Sequence, residues 1–105
     1  MTSPIASMTP SRKRRLRMKQ LDLIDQHVGR QMRVLRQQRG FPLTAIAEHC
    51  GVTYQQIQKY ESGKNRISAS RMQQIAWKLQ VRPSFFFDGI ETPPEFEAPA
   101  GEVLS

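Results

Sequence analysis

Three side chains close together in this sequence, Gln55, Gln56 and Lys59, have the chemistry to recognise base pairs. A glutamine amide can pair with both the N6 and the N7 of adenine, and a lysine amine can donate to guanine or to a phosphate. If the stretch is helical, Ile57 and Tyr60 at i and i+3 point inward. The residues left facing outward are Tyr54, Gln55, Gln56, Gln58 and Lys59. The pattern favours a face that binds nucleic acid, although an ordinary polar surface has the same composition.

These residues belong to the second of two short helices predicted within Leu43 to Glu61. Gly51 ends the first helix, because glycine readily adopts the left-handed backbone conformation. Thr53 can cap the second helix with its hydroxyl. The first helix has an apolar face at i, i+1 and i+4, formed by Ile46, Ala47 and Cys50. Two helices, a turn at residues 51–53 and a polar outer face together describe a DNA-binding helix-turn-helix.

The overall charge supports the same class of partner. The chain has 105 residues, enough for one small domain, with 16 Lys and Arg, 9 Asp and Glu and a net charge of +7. A basic chain favours a polyanion, and without a long apolar run nucleic acid is a better candidate than a membrane. The lone Cys50 cannot form an internal disulfide, and no apolar secretory signal is visible. We therefore expect a cytoplasmic protein.

The charge is distributed unevenly along the chain. Residues 1–20 carry six basic and no acidic residues, whereas residues 91–105 carry four acidic and no basic residues. We predict a basic flexible arm at 1–22, a DNA-binding domain at 23–90 and an acidic flexible tail at 91–105. The arm either contacts phosphate or a minor groove, or is merely solvated. Its basic residues are Arg12, Lys13, Arg14, Arg15, Arg17 and Lys19.

Apolar spacing predicts the remaining helices of an all-α domain. Helix 1 is predicted from Gln26 to Arg39, with Asp25 as its N-cap and an apolar stripe at Val28, Met32 and Leu35. The opposite side of this helix is basic, through Arg30, Arg33 and Arg39. Helix 4 is predicted at 69–80, capped by Ser68, with Met72, Ile75, Ala76 and Leu79 facing inward.

The last predicted helix, residues 84–88, contains three consecutive phenylalanines, Phe85 to Phe87. They cannot all point inward, so we expect one to fill the core and the others to be partly exposed. Trp77 lies off the apolar stripe of helix 4 and is a further candidate for a partner surface. The candidate dimer contacts are Trp77, Phe85 and Phe87.

Nothing in the sequence indicates an enzyme. It has no paired-carboxylate site, glycine-rich phosphate loop or metal-ligand cluster, and His27 lacks partners at ligand spacing. Glu48 and His49 are adjacent and face different directions on a helix. We predict no catalytic residue, no metal and no cofactor.

Residues 26–89 resemble the phage repressor and Cro type of helix-turn-helix. The motifs that carry the resemblance are Val28-Gly29, Leu35-Arg36, Ile46-Ala47, Gly51-Val52-Thr53, Ile57, Tyr60-Glu61-Ser62-Gly63 and Phe85-Phe86-Phe87-Asp88-Gly89. The resemblance implies a compact five-helix, lambda-repressor-like domain. It also implies a transcriptional regulator, such as a repressor, that binds double-stranded operator DNA as a homodimer on a two-fold site.

The resemblance also assigns roles to residues by position. Tyr54, Gln55 and Lys59 match base-contacting positions, on a recognition helix at 53–61. Gln56 and Gln58 flank them and can contact either a base edge or a phosphate; we count Gln56 with the base contacts. Lys64, Asn65 and Arg66 match the loop that binds phosphate after that helix, and the further candidates for phosphate contact are Thr44, Thr53 and Gln58. A structural ion pair is implied between Arg36 and Glu61. Leu43 departs from the family, which has a phosphate-binding Gln there, so Thr44 is the replacement candidate; Pro42 stands where a capping hydroxyl is usual.

A second hypothesis comes from the antitoxins that share this domain. Its support is the acidic, proline-rich tail and the aromatic residues at 85–87. Under this alternative the chain is a protein-interaction module that binds a second protein, a toxin or another regulator, and autoregulates its operon.

Overall fold

A computed structural model describes residues 8–94, and all regular secondary structure in that range is helical. Four α-helices follow in order: α1 (Pro10–Gln38), α2 (Leu43–Cys50), α3 (Tyr54–Glu61) and α4 (Ala69–Leu79). A 3-10 helix, Pro83–Phe87, completes the domain. No helix in this part of the chain combines the length and apolar character needed to cross a membrane.

Helix α1 begins much earlier than predicted. Its first residue is Pro10 rather than Gln26, so the prediction of Asp25 as N-cap is wrong. Thr9 occupies the cap position, and its hydroxyl accepts a hydrogen bond from the Arg12 amide at 3.4 Å. Proline suits the first turn of a helix, and no glycine or proline interrupts residues 11–28. Residues 10–22 of the predicted flexible arm are therefore helical, while residues 1–7 lie outside the described part.

The fifth predicted helix is a 3-10 helix and not an α-helix. Five residues give little room for i to i+4 hydrogen bonds, and short segments of this length commonly take 3-10 geometry. Phe86 is fully buried, Phe85 is half-buried and Phe87 is exposed, which confirms that one phenylalanine fills the core. Of the predicted tail, residues 91–94 are described and residues 95–105 are not.

One apolar core joins all five elements. The predicted inward faces of α1, α2 and α4 are confirmed, except that Met72 is only half-buried. Burying these side chains supplies the main favourable free energy of a domain this small. The buried apolar residues are Val28, Met32, Leu35, Ile46, Ala47, Cys50, Ile57, Ile75, Ala76, Leu79 and Phe86.

Candidate nucleic-acid interface

The turn between α2 and α3 has the geometry predicted from the sequence. Gly51 ends α2 with φ 71° and ψ 33°, in the left-handed region that glycine tolerates best. Thr53 precedes α3 in extended conformation, and its hydroxyl accepts a hydrogen bond from the Gln56 amide at 3.2 Å. The cap satisfies one of the free amides at the start of α3 and thereby fixes its first turn.

Helix α3 is held by its inner face and leaves its outer face in solvent. Ile57 is completely buried and Tyr60 is half-buried. Tyr54 is 46% exposed, and Gln56 is half-buried beside it. The other exposed polar residues of the helix are Gln55, Gln58 and Lys59. The helix therefore presents amides, an amine and a phenol outward from a fixed backbone.

A buried ion pair fastens the C-terminal end of α3 to α1. Arg36 Nε donates to Glu61 Oε2 at 2.7 Å, and Arg36 Nη2 donates to Glu61 Oε1 at 3.2 Å. The third donor, Arg36 Nη1, bonds the Phe41 carbonyl at 2.8 Å. The residues are only 9% and 8% exposed, and this bidentate geometry compensates both charges for their loss of water.

The two helices also touch through their backbones at Gly29. A Cβ placed on Gly29 would lie 2.8 Å from the carbonyl carbon of Glu61 and would also contact the carbonyl oxygen of Tyr60. Only glycine allows α1 to pass this close to the end of α3. The orientation of α3 is thus set by a backbone contact in addition to the ion pair.

The loop that follows α3 folds back on its last turn. The Ser62 hydroxyl donates to the Lys59 carbonyl at 3.2 Å, and the Asn65 amide donates to the same carbonyl at 3.2 Å. Gly63 has φ 78°, and a Cβ there would lie 2.9 Å from the Cα of Gln26 on α1. Lys64 and Asn65 are left exposed at the tip of the loop.

Arg66 makes an ion pair with α1 that no local pattern in the sequence predicts. Its Nε donates to Asp25 Oδ2 at 3.0 Å, which ties the loop to α1, while its side chain remains 56% exposed. Asp25, predicted as a helix cap, is therefore a residue that positions Arg66. Only the long-range pairing reveals this role, since the two residues are 41 positions apart.

The start of α2 lacks a side-chain cap, as Pro42 stands at that position. Thr44, the predicted replacement for the missing phosphate anchor, is exposed in the first turn. Beside Leu43 lies an open depression of about 260 Å³, lined also by Arg33, Arg36, Gln58, Glu61 and Ser62. Arg33 thus brings an exposed cation from α1 next to the residues of α3.

The three candidate dimer residues do not form one patch. Trp77 is 66% exposed and lines a depression on α4 together with Ser70 and Gln73. Phe87, 45% exposed, lines a different depression together with Ile24 and other residues of α1 and α4. Phe85 packs edge-to-face on Phe86, with ring centroids 6.1 Å apart.

Both histidines bond backbone carbonyls of other elements, and the cysteine is part of the apolar core. His27 Nε2 donates to the Asp88 carbonyl at 2.6 Å, and His49 Nε2 donates to the Gln74 carbonyl at 2.8 Å. Burial raises the pKa of the Cys50 thiol, and the nearby Arg71 guanidinium opposes this rise only in part. The thiol is therefore neutral near pH 7, where it packs as a small apolar group.

The sequence and the fold of this chain are both similar to those of known proteins. A helix-turn-helix family model matches residues 32–86. The chain is 48% identical over 65 residues to y4wC of Sinorhizobium fredii, described as an uncharacterised HTH-type transcriptional regulator, an alignment covering 62% of this chain and 46% of that protein. It is 43% identical over 82 residues to y4aM of the same organism, which is also described as an uncharacterised HTH-type transcriptional regulator. That alignment covers 78% of this chain and 54% of y4aM. The chain thus spans about half the length of these curated relatives.

One solved structure is similar in fold. It is the restriction-modification controller protein C.AhdI from Aeromonas hydrophila, with a TM-score of 0.57 and 22% sequence identity. The superposition covers 59% of this chain and 94% of that protein. At this level of identity the similarity shows a shared arrangement of helices.

Proposed function

Because the chain belongs to the helix-turn-helix family of the Cro/CI type, we propose that it regulates transcription by reading a specific operator with α3 in the major groove. The observation that carries the proposal is Gln55, which is exposed in the first turn of α3. That turn is fixed by the Thr53 cap, and the far end of the helix is fixed by Glu61. A rigid helix loses little conformational entropy when its amide pairs with a base.

The proposed contacts divide into two kinds. Base edges are read by Tyr54, Gln55, Gln56 and Lys59. Phosphates are bound by Thr44, Thr53, Gln58, Lys64, Asn65 and Arg66. Since Arg66 uses Nε to bind Asp25, its phosphate contact falls to the terminal nitrogens. Phosphate contacts give affinity that falls with salt, whereas base contacts give discrimination between sequences.

We propose further that two copies bind a two-fold operator. Dimers of helix-turn-helix domains place their recognition helices about 34–36 Å apart, one turn of DNA, so a symmetric site fits two copies of α3. The exposed Trp77 is the strongest candidate for the dimer contact, with Phe85 and Phe87 as further candidates. The antitoxin alternative stays a prediction, and recovery of a toxin in a pull-down with the full chain would support it.

The proposal is tested by comparing Gln55→Ala with Lys64→Ala in band-shift titrations. The operator is first selected from random duplexes, and each variant is then titrated against that duplex and against a scrambled one. Gln55→Ala should reduce the free energy of binding to the operator by about 1–3 kcal/mol and change binding to the scrambled duplex little. Lys64→Ala should weaken binding to both duplexes. It should also reduce the salt slope, which is the slope of the logarithm of the binding constant against the logarithm of the salt concentration, by about one.

A matched control is Gln38→Ala, which removes the same amide from the exposed C-terminal end of α1. It should bind both duplexes like the parent protein. Equal losses on the two duplexes for Gln55→Ala would contradict base reading by α3. Failure of the parent protein to select any sequence would overturn the proposed function as a whole.

A further inference from the structure

The N-terminal half of α1 projects beyond the domain. At residue 29 the helix crosses the end of α3, and at residues 25 and 26 it contacts the α3–α4 loop (residues 62–68) through Arg66 and Gly63. Before that point it continues to Pro10, and residues 10–19 are exposed apart from the half-buried Lys13. Residues 20–24 still line a depression with residues 89–93, so at 1.5 Å per residue the free segment 10–19 extends roughly 14 Å beyond the domain.

One face of α1 carries a row of polar residues that joins this projection to the helix-turn-helix. The residues follow one another at intervals of three or four positions and therefore share one side of the helix. We call this row the basic stripe; it consists of Arg12, Arg15, Lys19, Asp22, Gln26, Arg30 and Arg33. Five members are basic and one is acidic.

Three members of the basic stripe show which way it faces. The backbone of Gln26 packs against Gly63 in the α3–α4 loop. Arg33 lines the depression that contains Gln58 and Ser62 at the outer end of α3. A third member, Arg30, lines a depression together with Gly89 and Glu91. The stripe therefore runs along the edge of α1 that borders the end of α3 and its loop on one side and residues 89–91 on the other, and the projecting part continues this edge outward.

We propose that the basic stripe binds phosphates of the DNA that flanks the bases read by α3. This inference rests on the proposed function. Arg12, Arg15 and Lys19 are free of acidic neighbours at i±3 or i±4 except for Asp22, beside Lys19. The distance along the helix from Gln26 to Arg12 is about 21 Å, which matches about six phosphate steps of about 3.4 Å on one strand.

The apolar residues of the projection argue for DNA over a lipid surface. Leu16 and Leu23 are seven positions apart and lie on one side, while Met18 and Leu21 lie on the opposite side. All four are exposed. A helix that lies on a membrane needs its apolar side chains on a single face opposite its charges, and this helix lacks that arrangement.

The test neutralises three stripe residues and compares them with three neighbours. The stripe variant is Arg12→Gln, Arg15→Gln and Lys19→Gln; the matched control is Lys13→Gln, Arg14→Gln and Arg17→Gln. Both lose three charges from the same segment, and glutamine is a good helix former. Circular dichroism checks that both keep the helix. Each full-length variant is titrated on an operator duplex with about ten flanking base pairs on each side and on one trimmed to the operator.

On the long duplex, the stripe variant should lower the salt slope by about 2–3 for each protomer and weaken binding roughly 100-fold for each protomer near 0.1 M salt. The control should lose much less. On the trimmed duplex the stripe variant should bind nearly like the parent protein, because the flanking phosphates are gone.

Equal losses for the two variants on the long duplex would overturn the inference, as would equal losses for the stripe variant on both duplexes. Unchanged DNA binding together with stripe-dependent binding to phosphatidylserine vesicles would assign the stripe to a membrane surface instead and would also overturn it. In each of these outcomes the parent protein still distinguishes operator from scrambled DNA. The proposed function itself fails only when that discrimination is absent.

Discussion

Gly29 is the residue at which α1 and α3 come closest. Replacing it with alanine would drive a Cβ into the backbone of Glu61, at 2.8 Å from its carbonyl carbon, and backbone cannot move aside cheaply. Alanine favours helix by about 1 kcal/mol over glycine, but overpacking of this kind costs about 1–3 kcal/mol or more. Because the clash is with backbone atoms, the cost should lie at the upper end of that range, and we expect Gly29→Ala to lower the free energy of unfolding by about 2 kcal/mol in urea titrations.

An alanine substitution at an exposed site on α1, Gln38→Ala, is the control. Gln38→Ala should change the free energy of unfolding by about 0.5 kcal/mol or less. A Gly29→Ala protein as stable as the parent would mean that α1 and α3 can separate without cost. The close approach would then not fix the orientation of α3.

The Arg36–Glu61 pair sets a second expectation at the residue scale. Glu61→Gln leaves the Arg36 guanidinium buried without a countercharge, which should cost about 3–5 kcal/mol. Replacing both residues, as Arg36→Met with Glu61→Leu, should recover much of that loss, because no buried charge remains unpaired. Chemical denaturation of Arg36→Met, Glu61→Leu and the double variant measures the coupling. Strictly additive effects would show that the two side chains act independently.

Cys50 should be chemically inert in the native protein. Burial raises the pKa of its thiol, so little thiolate is present at pH 8, and thiolate is the reactive form. Alkylation by iodoacetamide should therefore be at least about tenfold slower in the native state than in denaturant. Mass spectrometry of the labelled fraction over time measures both rates. Similar rates in the two states would contradict the buried position.

At the scale of elements, the projecting half of α1 is the main departure from the sequence-based prediction. A basic run with few apolar residues is typical of disorder, because it buries too little surface to offset its ordering entropy. Here the run is continuous with a helix anchored by Val28, Met32 and Leu35. Extending an existing helix avoids the costly nucleation step, so strong helix formers can continue it without packing of their own.

Met18→Pro tests this account. Proline should break α1 near position 18 and release the turns before it, because it removes a backbone donor and clashes with the preceding turn. We expect circular dichroism to show a loss of about ten helical residues. The urea midpoint should change little, since residues 10–19 are exposed. Met18→Ala is the control that keeps the helix. A large drop in the midpoint would show that the projection packs on the domain.

At the scale of the whole molecule, the proposed dimer needs a surface shared by two copies. Trp77 is the most exposed large apolar side chain of residues 8–94, and aromatic residues dominate the energy of interfaces. Trp77→Ala should weaken self-association by about 2 kcal/mol in sedimentation equilibrium. Val34→Ala, at an exposed apolar site on α1, is the control. An unchanged dimer in Trp77→Ala would move the interface to Phe85 and Phe87 or elsewhere.

The helix-turn-helix itself was predictable because its signals are local. The Gly51 stop, the Thr53 cap and the apolar spacing around Ile57 each act within about one helical turn, so their order in the sequence carries the information. The inward faces of α1, α2 and α4 follow from the same periodicity. These features determine the presence, order and polarity of the elements that present Gln55.

Only the tertiary structure decided how those elements are joined. Asp25 pairs with Arg66 across 41 positions. Gly29 leaves room for the backbone of α3, which passes close to α1 where the two helices cross. The alignment of the basic stripe with α3 depends on the rotation of α1 about its own axis, which is set by packing between distant residues. Local propensity carries no information about such rotations, because they arise from contacts that form only when the chain has folded.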